Sequence, residues 1–391
     1  MTTPLIDVLI PIYNAAATVE SAVASIQRQT VDDIRIIAID DGSTDATPRI
    51  LARLAREDKR VVILTQPNGG IVDALNLGLS HTSAPIIARH DADDLADPDR
   101  FIQQLQYLEA HPECVAVSCY ARHIDTDGLP RGTNAVFPSP DNADLSWIPA
   151  MEPHLLHPFL MVRRAAIVAV GGYHYAHHAE DGDLYWRLQE IGKLHVIPRI
   201  MGSYRLSAQS VMSRSLLDGR VSAIGSQLAA VAANRRRTGQ GDLNFAKRTA
   251  ARMAAAGTSA KIFAIGAEGL SADEAAYLRP AFAAKLMELS ASRPYQPDRE
   301  DARFIAEALK GTAARMHPTN RKSVRRLRGI IAATLLRTGH WRAAYHLLDL
   351  TTLPRATMRL TQQLIARALP MNARRSIRSF RGRRHALRPE N

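Results

Sequence analysis

Ile86-Ile87-Ala88-Arg89-His90-Asp91-Ala92-Asp93-Asp94 sets a short apolar run directly before three carboxylates within four residues. The run reads as a buried strand, and the acidic cluster falls where that strand leaves its sheet. Carboxylates ~4 Å apart repel by about 4 kcal/mol at an effective dielectric of about 20, so the cluster calls for a cation. A hard divalent ion, Mg²⁺ or Mn²⁺, takes carboxylate oxygens and often carries substrate phosphates with it, so Asp-x-Asp at a strand end can act as a metal hook. The same residues also suit a solvated turn or a helix N-cap ahead of Pro98, and locally both readings stand open.

Upstream the pattern repeats. Asp7-Val8-Leu9-Ile10-Pro11-Ile12-Tyr13-Asn14 predicts a first strand that breaks at Pro11, followed by a helix with Val19, Val23 and Ile26 on one face. Ile34 to Ile39 is a β-branched run ending in Asp40-Asp41-Gly42-Ser43-Thr44-Asp45, where Ser43, Thr44 or Asp45 can cap the next helix. Val61 to Leu64 is a third strand, and Asn68-Gly69-Gly70 a turn into a helix with Val72, Leu75 and Leu79. Strands alternating with helices predict an α/β fold with a mostly parallel sheet covered on both faces. Ligands bind such sheets outside the carboxyl ends of the strands, where Asn14, Asp40, Asp41 and Asp91 to Asp94 all fall. The turn after the first strand, Asn14-Ala15-Ala16-Ala17, lacks the glycines that a dinucleotide-binding loop needs.

These motifs, in this order, resemble the family-2 inverting glycosyltransferases with their GT-A (Rossmann-like) fold, over roughly residues 4 to 212. The resemblance implies a nucleotide-diphospho-sugar donor and a hydroxyl acceptor on a glycan or lipid-linked glycan of a bacterial surface polysaccharide. It places Pro11, Tyr13, Asn14, Asp40, Asn68 and Asp91 at the nucleotide-sugar, and Asp91 and Asp93 on Mn²⁺ or Mg²⁺. Ala179-Glu180-Asp181-Gly182-Asp183 enters a helix, and acids in a first helical turn also simply complement the macrodipole. In the family such a Glu-Asp pair supplies the catalytic base, which points to Asp181. Ser203-Tyr204-Arg205-Leu206-Ser207 resembles the end of the same domain, with Ser207 where relatives often carry a metal- or diphosphate-holding His. The chain has neither the Gln-x-x-Arg-Trp motif nor the membrane helices of the family's processive synthases, so non-processive transfer is expected. A sugar-nucleotide-binding scaffold without turnover is the alternative.

Farther along, Asp97 and Pro98 should open a helix bearing Phe101, Leu105 and Leu108, before a strand from Cys114 to Cys119. Residues 122 to 153 read as an irregular excursion anchored by Trp147, and Phe159 to Val162 as a strand. His154, His157, His174, His177 and His178 lack zinc-site spacing, and His157 is taken as an acceptor-side or structural residue. After Ser215 the sequence turns Ala-, Leu- and Arg-rich, which predicts an all-α region (213–370) beyond the catalytic domain (1–212) and a basic tail (371–391).

The formal charge of +12 is unevenly placed: residues 321 to 391 hold 17 of the 50 Lys and Arg against Asp349 and Glu390 alone. The N-terminal part is close to neutral, as suits an enzyme of small molecules. The tail, with Ile377 and Phe380 among its arginines, suits an anionic membrane surface or a solvated end better than nucleic acid, for which no binding module is present. Two cysteines in an apolar strand, no signal-peptide pattern and no long apolar run lead to the expectation of a cytoplasmic protein, peripheral at the inner face of the plasma membrane if the tail binds there.

Overall fold

The computed structural model describes residues 3–176, 178–206, 216–292, 295–312 and 316–348. Expectations for His177, Ser207 and the 371–391 tail fall outside them. The chain runs β1 (Ile6–Ile12), α1 (Val19–Gln27), β2 (Ile34–Asp40), α2 (Thr47–Glu57), β3 (Val61–Thr65), α3 (Ile71–Ser80), β4 (Ile86–Arg89), β5 (Leu95–Ala96), α4 (Arg100–Ala110), β6 (Cys114–Ile124), β7 (Pro130–Ala135), β8 (Met161–Arg163), α5 (Arg164–Ala169), α6 (Glu180–Gln189) and β9 (Lys193–Arg205). A helical region follows: α7 (Leu216–Arg237), α8 (Lys247–Ala255), α9 (Ser259–Gly266), α10 (Ala272–Ser292), α11 (Arg299–Ala308), α12 (Pro318–Arg337) and α13 (Trp341–Leu347).

One nine-stranded sheet has the order β3-β2-β1-β4-β8-β6-β9-β5, with β7 paired to β6. Strands β1 to β4 are mutually parallel, whereas β8 runs antiparallel to both β4 and β6. The sheet is therefore mixed, because β8 is reached through a loop rather than a covering helix. Strand β1 is buried throughout and sends alternate residues to opposite faces. Ile6, Val8, Ile10 and Ile12 meet Val19, Val23 and Ile26 of α1, Leu51 of α2 and Phe101 of α4. Leu9 joins Ile37, Val72, Leu75 and Leu184 on the other side. A side chain such as Phe101, fully buried, contributes about 2 kcal/mol through burial alone.

Three expectations need correction. Pro11 does not break β1; it pairs in register with Ile39. Leu9 O accepts from His90 N on the β4 side, and Ile12 O accepts from Asp41 N on the β2 side. The alternation turns the nitrogen of Pro11 toward β4, which has ended at Arg89, so its missing N–H interrupts no ladder. Second, residues 122 to 153 are not all irregular: β6 extends to Ile124 and forms a hairpin with β7. Ile148 is buried there while Trp147 is half-buried, so the smaller side chain is the anchor. Third, His157–Phe159 is a turn of 3-10 helix, Pro158 setting its φ, and the strand starts only at Met161.

The helical region has its own core, including Ile224, Phe282, Met287, Phe304, Ile331 and Leu335. Several contacts join it to the sheet domain, among them one centred on Trp186 and one on Glu152. Trp186 of α6 is fully buried with Ala150, Ala229, Ala230 and Ala233, and the Arg237 guanidinium lies 5.3 Å from its ring centroid. Glu152 accepts hydrogen bonds from Ser226 (2.5 Å) and pairs with Lys285 of α10 (2.8 Å).

Candidate active site

The site is assembled at the carboxyl ends of β1, β2 and β4, where parallel register sets Ile12 beside Asp40 and Leu9 beside Arg89. Asn14 adopts φ 49°, a conformation Asn tolerates better than most residues, and its Oδ1 accepts from Thr44 N at 2.8 Å. Its own N–H donates to Ser43 Oγ at 2.9 Å, so the loops after β1 and β2 are stitched together. Tyr13 is half exposed beside them.

Asp40 and Asp41 divide their labour. Asp41 is consumed internally: Oδ1 accepts from Gln66 Nε2 (2.7 Å) and Gly69 N (2.8 Å), and Oδ2 from Gly70 N (2.9 Å). Those bonds fix the Asn68-Gly69-Gly70 turn on the rim, with Asn68 exposed. Asp40 accepts from Ser43 N through Oδ1 at 3.0 Å. Pro11 is buried inside β1 beneath this rim.

In the acidic loop, Asp91, Asp93 and Asp94 each offer a carboxylate oxygen, all within 4.8 Å of one another. Burial, then the charge of Asp91, pushes the Asp93 carboxyl up to about 6, and burial with both neighbours raises Asp94 well above the usual carboxylate range. Asp94 Oδ1 accepts from Arg205 N at 2.8 Å, while its Oδ2 is buried without a hydrogen-bond partner. Crowded oxygens with an unmet acceptor fit a divalent cation. Among the described residues no histidine joins such a group. His157 is buried, bonded to Tyr173 Oη at 3.0 Å, and burial holds its imidazole neutral, so it serves as a structural strut.

Two residues of the loop's surroundings escaped the sequence reading. Arg89, almost wholly buried, pairs with Asp91 Oδ1 at 2.5 Å, and its Nε and Nη1 have no hydrogen-bond partner among the described residues. Its signal was an arginine inside the apolar run, one step before His90. Arg205 donates from Nε to Asp93 O (2.7 Å) and from Nη1 to Asp125 O and Thr126 O (2.9 Å each), clamping the acidic loop to the β6–β7 turn.

Glu180 and Asp181 form the first turn of α6. Burial, then Asp181, pushes Glu180 up to about 7; Arg89 opposes and Asp91 adds to the shift, so this helix start lies within electrostatic reach of the acidic loop. Asp181 Oδ1 accepts from Gly182 N at 2.8 Å. Asp183, by contrast, is locked to Arg187 (2.6 Å), which donates in turn to Gly172 O at 2.7 Å.

The carboxyl ends of the strands thus gather a rim of Tyr13, Asn14, Asp40 and Asn68, a trio of carboxylates and, within electrostatic reach of that trio, a Glu-Asp helix start. Residues 7–171 match the model of Glycosyl transferase family 2. The putative glycosyltransferase EpsE of Bacillus subtilis (strain 168) is 31% identical over 194 residues, 48% of this chain and 68% of that protein. The amylovoran biosynthesis glycosyltransferase AmsE of Erwinia amylovora is 27% identical over 214 residues, 54% of this chain and 79% of that protein. Other curated relatives are spanned over only 20% to 42% of their length. Among solved structures, a mannosyltransferase from Pyrobaculum calidifontis in complex with GDP-Man and Mn²⁺ has 17% identity and a TM-score of 0.45, covering 91% of this chain and 88% of that one. The chain belongs to glycosyl transferase family 2, and its sheet domain carries the GT-A type of fold.

Proposed function

We propose that this glycosyltransferase is a metal-dependent, inverting, non-processive hexosyltransferase that moves one sugar from a nucleotide-diphospho-sugar to a glycan or lipid-linked hydroxyl. The observation that supports this reading is the charge coupling of Glu180 to Asp91 and Arg89, which sets the Glu180-Asp181 helix start near the three-carboxylate loop. The names of relatives, an amylovoran biosynthesis glycosyltransferase and chondroitin and hyaluronan synthases, support a polysaccharide as the product.

In this reading the rim of Tyr13, Asn14, Asp40 and Asn68 holds the nucleoside, with Pro11 behind it. Asp91 and Asp93 would hold Mn²⁺ or Mg²⁺, which when bound neutralises the charge of the departing diphosphate. Arg89 keeps Asp91 oriented through its 2.5 Å ion pair. Asp181 accepts the proton of the acceptor hydroxyl as that oxygen attacks the anomeric carbon, and a single displacement inverts it. Glu180 can keep a proton near neutrality, which limits its repulsion of Asp181. The basic tail would hold the enzyme at an anionic inner leaflet. Among the described residues no helix is long and apolar enough to cross a membrane.

The test is a donor screen: nucleotide-sugars are offered singly, with Mn²⁺ or EDTA, and nucleoside diphosphate release and product mass are followed. Release from one donor, dependent on Mn²⁺ and enhanced by acceptor, is expected. Tight nucleotide binding without release or transfer from any donor would instead identify a sugar-nucleotide-binding scaffold.

A further inference from the structure

The helical region holds a basic cavity of about 390 Å³ that the donor crevice does not use. Lys310 reaches it from the turn after α11, and Arg321, Arg325 and Arg328 from α12. Spacings of four and three residues put those arginines on one helix face. The described lining contains no acid, only apolar groups such as Leu309, Met316 and Val324 besides Gly311 and Thr312. Indeed no Asp or Glu occurs anywhere from Ala308 to Leu348. Glu307, the nearest acid in sequence, is turned away to Arg303 at 2.9 Å and Arg279 at 3.9 Å. Arg321 Nε is buried and has no hydrogen-bond partner among the described residues.

Lys310, Arg321 and Arg325, converging on a concave, partly apolar surface, repel one another unless a counter-charge enters, and guanidinium forks match phosphate oxygens in particular. We propose that this cavity binds a phosphate-class anion of at least two charges, free or as the headgroup of a lipid. The same Lys310-Gly311-Thr312 turn also lines a second cavity of about 490 Å³ that reaches Ile148 and Tyr277. The remainder of a larger occupant thus has room on the side of the sheet domain. The inference stands apart from the donor reading and survives its failure.

The full chain in EDTA, which silences any metal-borne phosphate site at the acidic loop, is titrated calorimetrically with inorganic pyrophosphate. In a second arm it is sedimented with phosphatidylcholine vesicles with and without phosphatidylglycerol. Saturable pyrophosphate binding, weakened about tenfold or more in R321Q/R325Q and in the single variant Lys310→Gln, is expected. UDP and GDP binding in Mn²⁺ should not change in either variant. Vesicle binding that needs phosphatidylglycerol and is lost in the variants, without pyrophosphate binding, assigns the site to a headgroup. Lys310 lies on an exposed turn, so its variant keeps the test valid if the double variant misfolds. Equal affinity in wild type and variants, or binding in neither arm, overturns the proposal.

Discussion

Arg205 is bonded to Asp94 through its backbone, N to Oδ1 at 2.8 Å, while its guanidinium grips the carbonyl of Asp93 at 2.7 Å. The final residue of β9 therefore holds the acidic loop from 111 residues away. Arg205→Ala keeps the backbone bond and loses the guanidinium bonds to Asp93, Asp125 and Thr126. At about 1 kcal/mol per bond, the loop should loosen enough to weaken Mn²⁺-dependent nucleotide binding about tenfold. Titration calorimetry measures this, and unchanged affinity would show that the clamp plays no part in presenting the loop.

Asp181→Asn should leave nucleotide-sugar affinity intact and lower transfer by about 10²- to 10⁴-fold, the usual worth of a positioned base. Unchanged turnover removes Asp181 from that role.

Glu180 should appear in the pH dependence of the same reaction. Below about 7 it is protonated and above it ionised, so the wild-type rate profile should inflect there. Glu180→Gln abolishes that titration, and the variant's profile should run flat through neutrality. Superimposable profiles would mean that Glu180 does not face the reacting groups.

Lys285 lies 2.8 Å from half-buried Glu152. Burial raises the Glu152 carboxyl, but Lys285 and the Ser226 hydroxyl outweigh it and hold it below its ordinary 4.5. A depressed carboxylate stabilises the fold above its unfolded value, and that contribution is lost as pH falls from about 4.5 through the folded value. Lys285→Met leaves the carboxylate without its cation and should cost about 2–3 kcal/mol at neutral pH, with Ser226 compensating in part. Its thermal unfolding should also become less sensitive to acid below about pH 4.5, since protonating Glu152 then relieves an unpaired charge. Calorimetric melts at several pH values decide the matter.

Gly42 tests the rim. It sits at φ 73°, and a Cβ there would lie 2.7 Å from Asn68 N. Gly42→Ala should displace the Asn68 turn, lowering stability by about 1–3 kcal/mol and nucleotide affinity with it. Equal affinity for UDP and GDP in the variant would place the nucleoside elsewhere.

What was readable in the chain follows from how far each signal reaches. The parallel β1–β4 unit and its loops were legible because β-branched runs, glycine turns and terminal acids lie within a few residues of one another. Their meeting in one crevice then follows from parallel connectivity. The acidic pair on α6 was found by resemblance alone, since first-turn acids occur on many helices. Arg89 was hidden because nothing in an apolar run shows that Asp91, two residues on, turns back to pair with its guanidinium. Glu152 lay in a stretch read as loop, and its partners Ser226 and Lys285 are more than 70 residues distant. The β6–β7 hairpin was obscured by a β7 segment, Pro130 to Ala135, that is exposed along most of its length and so shows no apolar alternation.

Trp186 also has a bearing on how the chain is made. Its ring is covered on one side by Ala229, Ala230 and Ala233, about 45 residues downstream. At roughly 5–20 residues per second, a ribosome needs several seconds to deliver that cover after the tryptophan has emerged. During those seconds the helix bearing Glu180 and Asp181 carries a large aromatic with no lid, so the nascent sheet domain is a natural client for chaperones and the enzyme matures only when α7 arrives.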